Sequence, residues 1–326
     1  MKEVRFAFVG CGNFTYNVIY DYIKNLPCKL VSVCDLDSEK LKRFTERYQV
    51  ANSYHDYNEM FSKEKLDAVI CIADAKTHYE VAKAALARGI SIFIEKAPTT
   101  SSIDAKELLE LQKSTKAYAQ VGFNRRFATA YIMGKEIIKS PEFGRKTMYL
   151  AKYNSSEYSS EEYFILNHVI HHLDIARYFL GEIKNIHTNT IRISSKKVGY
   201  HISFVAEDGT IGILQTSSLQ YEPYPMERIE ITGVGKNIII DNVKSLEYNR
   251  PGGKKDELSG ICLSEGGDSL VWKHNQGHSS LYSHYGFERE FAFFIDAVSK
   301  GTFEKESLRD TVKTMELYES FKSSLS

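Results

Sequence analysis

An apolar run at residues 6–9 is followed at once by Gly10, Cys11 and Gly12, and an amphipathic helical pattern begins at Phe14. This order predicts a strand, a sharp turn and a helix. Gly10 suits the turn, Gly12 leaves room for a phosphate beside the backbone, and the helix N-terminus offers N–H groups to an anion. The pattern therefore favours a doubly wound parallel sheet that binds a dinucleotide.

A second apolar run, residues 31–34, ends at Asp35. In dinucleotide-binding folds a carboxylate at this point accepts hydrogen bonds from the adenosine ribose. The same carboxylate repels the 2′-phosphate of NADP, and residues 36–38 contain no Arg or Lys to offset it. We therefore predict NAD as the cofactor, with NADP disfavoured. Thr15 stands where the third glycine of the pattern is usual, which crowds the helix against the strand.

The first third of the chain alternates short apolar strands with capped helices, as doubly wound parallel sheets do. Three helix starts are marked by capping side chains: Asp37 or Ser38, a capping box at residues 77–80, and Ser101 with Asp104. The alternation closes with a strand that reaches Gly122. We therefore predict a Rossmann domain over residues 1–123 and a second domain over residues 124–326.

Beyond that boundary the pattern changes to a few helices and many consecutive strands. Helices are predicted at 128–139, 168–179, 286–299 and 305–323. Strands are predicted at 145–154, 185–193, 199–206, 210–218, 227–232 and 237–241. The predicted fold class is α/β, with an N-terminal doubly wound Rossmann domain and a C-terminal α+β domain that has a large, mainly antiparallel, open sheet. The few helices leave one sheet face uncovered, which predicts a homodimer or homotetramer.

Composition favours an enzyme that acts on small molecules. The 326 residues contain 42 Lys and Arg and 42 Asp and Glu, so the formal charge is zero and no basic run indicates a nucleic-acid or membrane partner. No leader-like or membrane-spanning apolar segment is evident, which predicts a cytoplasmic protein. The five cysteines lack C-x-x-C spacing and are interpreted as free thiols.

Glu95 and Lys96 end a predicted parallel strand at the edge where open α/β sheets bind ligands. Burial beside an oxidised, positively charged cofactor lowers the pKa of a lysine and suits it to proton transfer near neutral pH. The alternative is a surface lysine that pairs with Glu95.

A second set of polar residues follows one helical face: Asn167, His171 and Asp174 are spaced by four and three positions. An imidazole beside an amide and a carboxylate is suited to accept a proton from a substrate hydroxyl. A solvent-facing helix explains the same pattern. A zinc site at His168 and His172 is a weaker alternative, since the sequence offers no matched third ligand.

Two further groups are open to either interpretation. The histidines His274, His278 and His284 flank Trp272 in a loop-like stretch, where they either border a sugar pocket or face solvent. The tyrosines at 149, 153, 158 and 163 either line a cleft or cover a half-exposed sheet face.

Taken in order, these motifs resemble the glucose-fructose oxidoreductase, inositol dehydrogenase and rhizopine-catabolism (Gfo/Idh/MocA) family, from Val4 to the last helix. The motifs are Gly10-Cys11-Gly12, Asp35, His78 before an Ala-rich helix, Glu95-Lys96, and residues 122–127, 171–177, 230–235 and 285–288. The resemblance implies a two-domain NAD(P)-dependent dehydrogenase or reductase for sugars, cyclitols or nucleotide sugars, whose open sheet packs against another subunit.

The resemblance also implies roles for individual residues. Lys96 matches the lysine of a Glu-Lys-Pro motif, and His171 matches the catalytic histidine, with Asn167 standing where the family has Asp. The implied substrate-binding residues are Asn124, Arg126, Asn167 and His171. The implied cofactor-binding residues are Gly10, Cys11, Gly12, Asn13, Phe14, Asp35, Ala73, His78, Glu95 and Lys96. No metal ligands are assigned.

The sequence departs from the family pattern in three places. Ala73-Asp74-Ala75 replaces Thr-Pro-Asn, Ala97 replaces the proline after the lysine, and Asn167 provides a neutral amide instead of a charge. The leading hypothesis is an NAD-dependent oxidoreductase that moves hydride between nicotinamide and a secondary hydroxyl or ketone of a sugar or cyclitol. The departures keep open a non-catalytic NAD-binding sensor or partner-binding protein of the same fold, and a redox-assisted glycosidase is a third hypothesis.

Overall fold

The computed structural model describes residues 2–221, 226–252, 267–274, 283–302 and 307–325. The chain forms two compact units. The first contains Met1–Asn124 and Phe287–Glu319, and the second contains Arg125–Gly286 and Ser320–Ser326.

Six parallel strands form the sheet of the first unit, in the order β3-β2-β1-β4-β5-β6. The strands are β1 (Val4–Val9), β2 (Cys28–Cys34), β3 (Asn52–Tyr54), β4 (Ala68–Cys71), β5 (Ser91–Glu95) and β6 (Ala119–Gly122). Strand order reverses between β1 and β4, and in open α/β sheets ligands bind beyond the carboxyl ends of the strands at that point. The predicted doubly wound sheet is confirmed.

Except for the first, the helices between the strands of this unit begin at short polar side chains. A π-helical turn, Thr15–Ile19, leads into α1 (Tyr20–Ile23), and α2 (Ser38–Tyr48), α3 (Tyr57–Lys63), α4 (Ala75–Ala87) and α5 (Ser102–Ser114) follow. Asp37 and Ser101 cap α2 and α5 as predicted. The capping box predicted at residues 77–80 is wrong, because Asp74 caps α4 by accepting the N–H groups of Lys76 and Thr77. Aspartate is the stronger N-cap, so the helix begins one turn earlier.

Two C-terminal helices complete the description of the chain: α9 (Phe287–Lys300) and α10 (Arg309–Ser323). The sequence-based division placed this stretch in the second domain, whereas Phe287–Glu319 groups with the first unit. The reason is apolar packing on the parallel sheet. The rings of Phe291 and Phe294 on α9 lie 4.6 and 5.7 Å from the ring of Phe93 on β5.

The second unit is built on an eight-stranded sheet in the order β14-β13-β12-β11-β7-β10-β9-β8. Its strands are β7 (Lys146–Asn154), β8 (Ile183–Arg192), β9 (Val198–Ala206), β10 (Ile211–Ser217), β11 (Met226–Gly233), β12 (Asn237–Asp241), β13 (Ser245–Arg250) and β14 (Asp268–Lys273). Only β7 and β10 pair in parallel; the other neighbours are antiparallel. The predicted large, mainly antiparallel sheet is confirmed. Within the part of the chain that the structure describes, no helix is long and apolar enough to cross a membrane.

The helices of the second unit are α6 (Thr129–Lys139), α7 (Glu161–Phe164) and α8 (Ile170–Leu180), with a π-helical turn, Ile165–Val169, between α7 and α8. The helix predicted at 168–179 thus begins earlier, at a Ser160 cap. Strands β13 and β14 were not predicted, and Trp272 lies in β14 instead of a loop. His278 and Cys262 lie outside the described residues.

Candidate functional site

The glycine turn after β1 has the geometry that a dinucleotide needs. Gly10 has φ +95°, and a Cβ there would lie 2.0 Å from the carbonyl oxygen of Ile72, so only glycine fits. A Cβ on Gly12 would meet nothing within 4 Å. Packing within the protein therefore does not require this glycine, which leaves open space beside the backbone at the point where this kind of turn binds a pyrophosphate. Thr15 is accommodated because its buried hydroxyl donates to the carbonyl oxygen of Gly10, at 2.8 Å.

Asp35 lies directly beside this turn. Its Oδ2 accepts the backbone N–H of Cys11 at 2.7 Å, and its Oδ1 accepts the N–H of Asp37 at 3.0 Å. Burial, and after it the Asp35 charge, raises the pKa of the Cys11 thiol, which stays protonated and unreactive. Arg43 on α2 donates to the side-chain oxygen of Asn13 at 3.1 Å, so a cation that sequence reasoning missed lies near the turn.

His78 on α4 is buried, and both of its ring nitrogens bind backbone groups. Its Nε2 accepts the N–H of Ala73 at 2.9 Å, and its Nδ1 lies 2.7 Å from the carbonyl oxygen of Ala97, which accepts from it. Burial lowers the pKa of His78 to about 4, so the ring is neutral near pH 7. The predicted cofactor residue His78 thus joins the segment after β4 to the segment that follows Lys96.

Glu95 and Lys96 stand at the carboxyl end of β5, as predicted. The buried Glu95 carboxylate accepts the backbone N–H of Lys96 at 2.9 Å. A Cβ on Gly122 would lie 3.2 Å from Glu95 Oε1 and 3.1 Å from the Phe93 ring, so this glycine makes room for the carboxylate. The peptide bond between Lys96 and Ala97 is cis. The hydrogen bond from the Lys96 N–H to the Glu95 carboxylate holds the backbone of Lys96 at the ligand-binding edge of the sheet.

The second unit holds Asn167 and His171 on the continuous stretch from α7 to α8. Asn167 lies in the π-helical turn and donates from Nδ2 to the carbonyl oxygen of Tyr163 at 3.0 Å. His171 is buried in the first turn of α8. A π-helical turn inserts one residue into a helix and re-aims the side chains around it, and such turns are frequent at functional sites.

Arg126 and Asp174 form a two-pronged ion pair in the second unit. The Nε and Nη2 atoms of Arg126 donate to the two Asp174 oxygens at 2.7 and 2.6 Å. Asp174 is buried, whereas 24% of the Arg126 side chain is exposed. The Asp174 carboxylate thus holds Arg126. Asn124, the other predicted substrate residue, is buried at the end of the first unit.

The zinc alternative at His168 and His172 finds no support in the geometry. Both imidazoles stack on the ring of Tyr153, with centroid distances of 3.7 and 4.2 Å. Over the described ranges, no group of three or more His, Cys, Asp or Glu is placed to hold a metal ion. Tyr149 and Tyr153 are buried, which favours the packing interpretation for these two tyrosines.

Of the three histidines near Trp272, two belong to the described residues. The His284 ring is buried and lies 5.5 Å from the ring of His274. Burial, and next the positive charge of Lys244, lowers the pKa of His284 to about 4. His284 therefore does not face solvent, which was one of the two alternatives for the histidines near Trp272.

The chain is similar to known oxidoreductases in sequence and in fold. The model of an oxidoreductase family with an NAD-binding Rossmann fold matches residues 4–123. D-apiose dehydrogenase of Rhizobium rhizogenes is 24% identical over 98% of this chain and 94% of its own length. Inositol 2-dehydrogenase of Salmonella typhimurium is 31% identical over 47% of each chain. The crystal structure of a dehydrogenase from Chromobacterium violaceum has a TM-score of 0.88 at 17% identity, covering 99% of this chain and 95% of that chain.

The sheet order, the glycine turn with open space at Gly12, and Asp35 beside the turn all fit NAD. The family match supports the same cofactor and an oxidoreductase activity. Over residues 4–123 the chain therefore matches the NAD-binding Rossmann fold of the Gfo/Idh/MocA oxidoreductase family.

Proposed function

We propose that this protein is an NAD-dependent dehydrogenase that oxidises a secondary hydroxyl of a sugar or cyclitol, or reduces the corresponding ketone. The observation that carries the proposal is the pairing of the Asp35-bonded glycine turn with a lysine at the carboxyl end of β5 in the same parallel sheet. Relatives named D-apiose dehydrogenase and inositol 2-dehydrogenase support the substrate class.

NAD, when bound, supplies the nicotinamide carbon that accepts hydride. The chain's own residues supply proton transfer and orientation. His171 is the proposed acceptor of a proton from a substrate hydroxyl, and Lys96 is the proposed cation that polarises a substrate oxygen. Asn167 orients His171 or the substrate as a neutral hydrogen-bonding group, and Arg126 and Asn124 bind further substrate hydroxyls.

His78 has a supporting role in this proposal. Because its two nitrogens bind the backbone of Ala73 and Ala97, it holds the segment next to Lys96 without touching the reacting atoms. The two departures in the first unit, at residues 73–75 and at Ala97, are then compatible with activity, since the histidine bridge and the Glu95 carboxylate both fix the backbone at Lys96.

A substrate panel tests the proposal. Purified protein is mixed with NAD and a series of aldoses, ketoses, cyclitols and nucleotide sugars, and NADH absorbance is followed. We expect turnover on at least one sugar or cyclitol. Tight NAD binding without turnover on any panel member would favour the sensor or partner-binding hypothesis instead.

The roles of Lys96 and His171 are tested on the substrate that the panel identifies. Lys96→Ala and His171→Ala should each lower kcat by about two to four orders of magnitude, the usual loss for a general acid–base group. The Kd of NAD should change little. Lys63→Ala, at an exposed ion pair with Glu59 on α3, is the matched control and should keep full activity. Full turnover by either of the first two variants would contradict the assignment.

A further inference from the structure

Arg125 and Glu227 form a buried ion pair next to α8, the helix that carries His171. Arg125 donates from Nε to both oxygens of Glu227 at 3.0 and 3.2 Å and from Nη2 to Oε2 at 3.0 Å. The exposed fractions of the two side chains are 10% and 4%. Arg125 Nη2 also donates to the Tyr153 hydroxyl at 2.7 Å, and the Tyr131 hydroxyl donates to Glu227. Glu227 on β11 thus binds Arg125 and Tyr131, which come from two other parts of the second unit.

The same carboxylate reaches α8. Glu227 Oε1 lies 3.3 Å from Nε2 of His172, whose ring stacks on Tyr153. One turn earlier, the His168 ring stacks on Tyr153 as well, and its Nε2 lies 3.2 Å from the Tyr153 carbonyl oxygen. Two imidazoles four residues apart therefore fix the rotation of this helix against β7 and β11. His171 lies between them in the sequence and turns with the same backbone.

The adjacent arginine makes the second connection. Arg126 is held by Asp174 on α8, while Arg125 is held by Glu227, which contacts His172 on α8. From this double attachment we infer that Glu227 is a positioning residue, which through Arg125 and His172 fixes the orientation of the His171 imidazole toward the substrate. The inference rests on the proposed function of His171.

Stability alone does not account for such a cluster. Buried ion pairs gain little or nothing over well-packed apolar side chains of similar volume, because removing two charges from water is costly. The pair instead fixes the relative orientation of the two side chains, since a guanidinium bound at two points accepts only one arrangement of the carboxylate. Orientation matters to catalysis because a displacement of about 1 Å costs about a hundredfold in rate.

Glu227→Gln tests the inference, with Glu230→Gln as the matched control. Glu230 lies three positions further along β11 in a part-exposed ion pair with Arg228, at 2.7 Å, so the control removes a charge from the same strand. Glu227→Gln should lower kcat by about 10- to 100-fold while KM and the Kd of NAD change less than about threefold. Glu230→Gln should leave all three values unchanged. An unchanged kcat in folded Glu227→Gln would overturn the inference.

A direct readout separates this inference from the proposed function. In protein with ¹⁵N-labelled histidine, the ring resonances of His171, assigned by comparison with His171→Gln, should shift in Glu227→Gln and stay in place in Glu230→Gln. This measurement needs no substrate. If no sugar is turned over, the proposed function fails, whereas the shift or constancy of the His171 resonances still decides whether Glu227 positions this ring.

A second variant covers the case in which Glu227→Gln does not fold, since it leaves Arg125 buried without its counter-ion. In the double variant Arg125→Met with Glu227→Met, the charges are replaced by apolar side chains that preserve packing. We expect it to fold with a displaced His171 resonance and the same 10- to 100-fold loss in kcat. Wild-type kcat together with a wild-type His171 spectrum in the double variant would overturn the inference.

Discussion

At the level of single residues, the Asp35 carboxylate is held on both oxygens by backbone N–H groups, from Cys11 and Asp37. Each oxygen still has a lone pair for a ribose hydroxyl. Two backbone bonds keep the charge fixed beside the glycine turn, where a 2′-phosphate would approach. Arg43 lies near the same turn through its bond to Asn13, and its charge favours an additional phosphate. The two residues therefore act in opposite directions on the choice between NAD and NADP.

Replacing Asp35 should change that choice. Wild-type protein should bind NAD more tightly than NADP, and Asp35→Ala should narrow the ratio of the two Kd values by about tenfold or more, because the repulsion is removed. Fluorescence titration with each cofactor measures the ratio. Adding Arg43→Ala to Asp35→Ala should weaken NADP binding again.

Asp21→Ala, at an exposed ion pair with Lys24, serves as the control for the loss of a negative charge from the first unit. It should leave the preference for NAD unchanged. Equal or tighter binding of NADP by the wild-type protein would show that Asp35 does not set the preference.

Site residues whose position depends only on residues adjacent in the sequence could be predicted. Gly10 and Asp35 follow their strands directly, so the strand pattern predicts their positions. Arg125 and Glu227 were missed because they are 102 positions apart, and only the folded sheet brings them together. A charged residue in a strand pattern gives no signal of its partner, and an arginine next to Arg126 looks like another surface cation.

At the level of secondary-structure elements, three buried imidazoles connect helices to their neighbours. Burial lowers the pKa of His78, His168 and His172 below the ordinary value for histidine, to about 4 in the case of His78. In the unfolded chain these rings titrate near their ordinary pKa of 6.5. Below that value the unfolded chain binds more protons than the folded one, so the free energy of unfolding falls with falling pH.

Stability should therefore be full above about pH 6.5 and should decline as the pH falls toward about 4. His78 contributes about 3 kcal/mol to this decline in the free energy of unfolding, because its pKa is lowered by about 2.5. Replacing it by Gln, whose amide can both donate and accept, should flatten the decline by that share. Urea unfolding at a series of pH values measures the effect.

The control is His187→Gln on β8, which removes an exposed imidazole and should leave the slope as it is in the wild type. A His78→Gln protein with the wild-type pH slope would contradict the assignment of this share to His78. Carboxylates with lowered pKa values, such as Asp74, add their own decline at lower pH in all three proteins, so only the difference between proteins is compared.

Elements with a strong period were predicted well, and short irregular ones were not. The π-helical turn Ile165–Val169 inserts a single residue, which a helical period of 3.6 does not reveal. Strand β14 was missed because its side chains are exposed or half-buried along its whole length, so its apolar and polar residues do not alternate clearly. Strand β13 does alternate, with Leu246 and Tyr248 buried, but the alternation spans only four residues. The cap of α4 was misplaced because Asp74 and Thr77 are both good capping residues.

At the scale of the whole molecule, the two sheets and their strand types followed from the order of patterns along the chain. The placement of α9 did not. Its apolar face, with Phe291 and Phe294, indicates burial but not the surface that buries it. Because α9 follows the second-domain strands in the sequence, it was predicted to belong to that domain. The ring contacts of Phe291 and Phe294 with Phe93 and Tyr118 group α9 with the parallel sheet instead.

The eight-stranded sheet has exposed apolar side chains at its centre. Met148 and Leu150 on β7 are 54% and 47% exposed, and Ile211 on β10 is 55% exposed and pairs with Met148. Alternate residues of β7, including Tyr149 and Ala151, point to the opposite, buried side. Adjacent exposed apolar residues on one sheet face are typical of surfaces that pack against another protein. They support the prediction of a homodimer or homotetramer.

Static light scattering tests this assembly. The wild-type protein at micromolar concentration should have a mass at least twice the 37.2 kDa of one chain. Leu150→Lys places a charge at the centre of the patch, where burial in an interface would be costly, so its mass should fall toward that of one chain. Ile103→Lys is the matched control, because Ile103 is 75% exposed on α5 in the first unit and its replacement should leave the mass unchanged. A wild-type mass near 37.2 kDa would show that this sheet face does not bind a second copy of the chain.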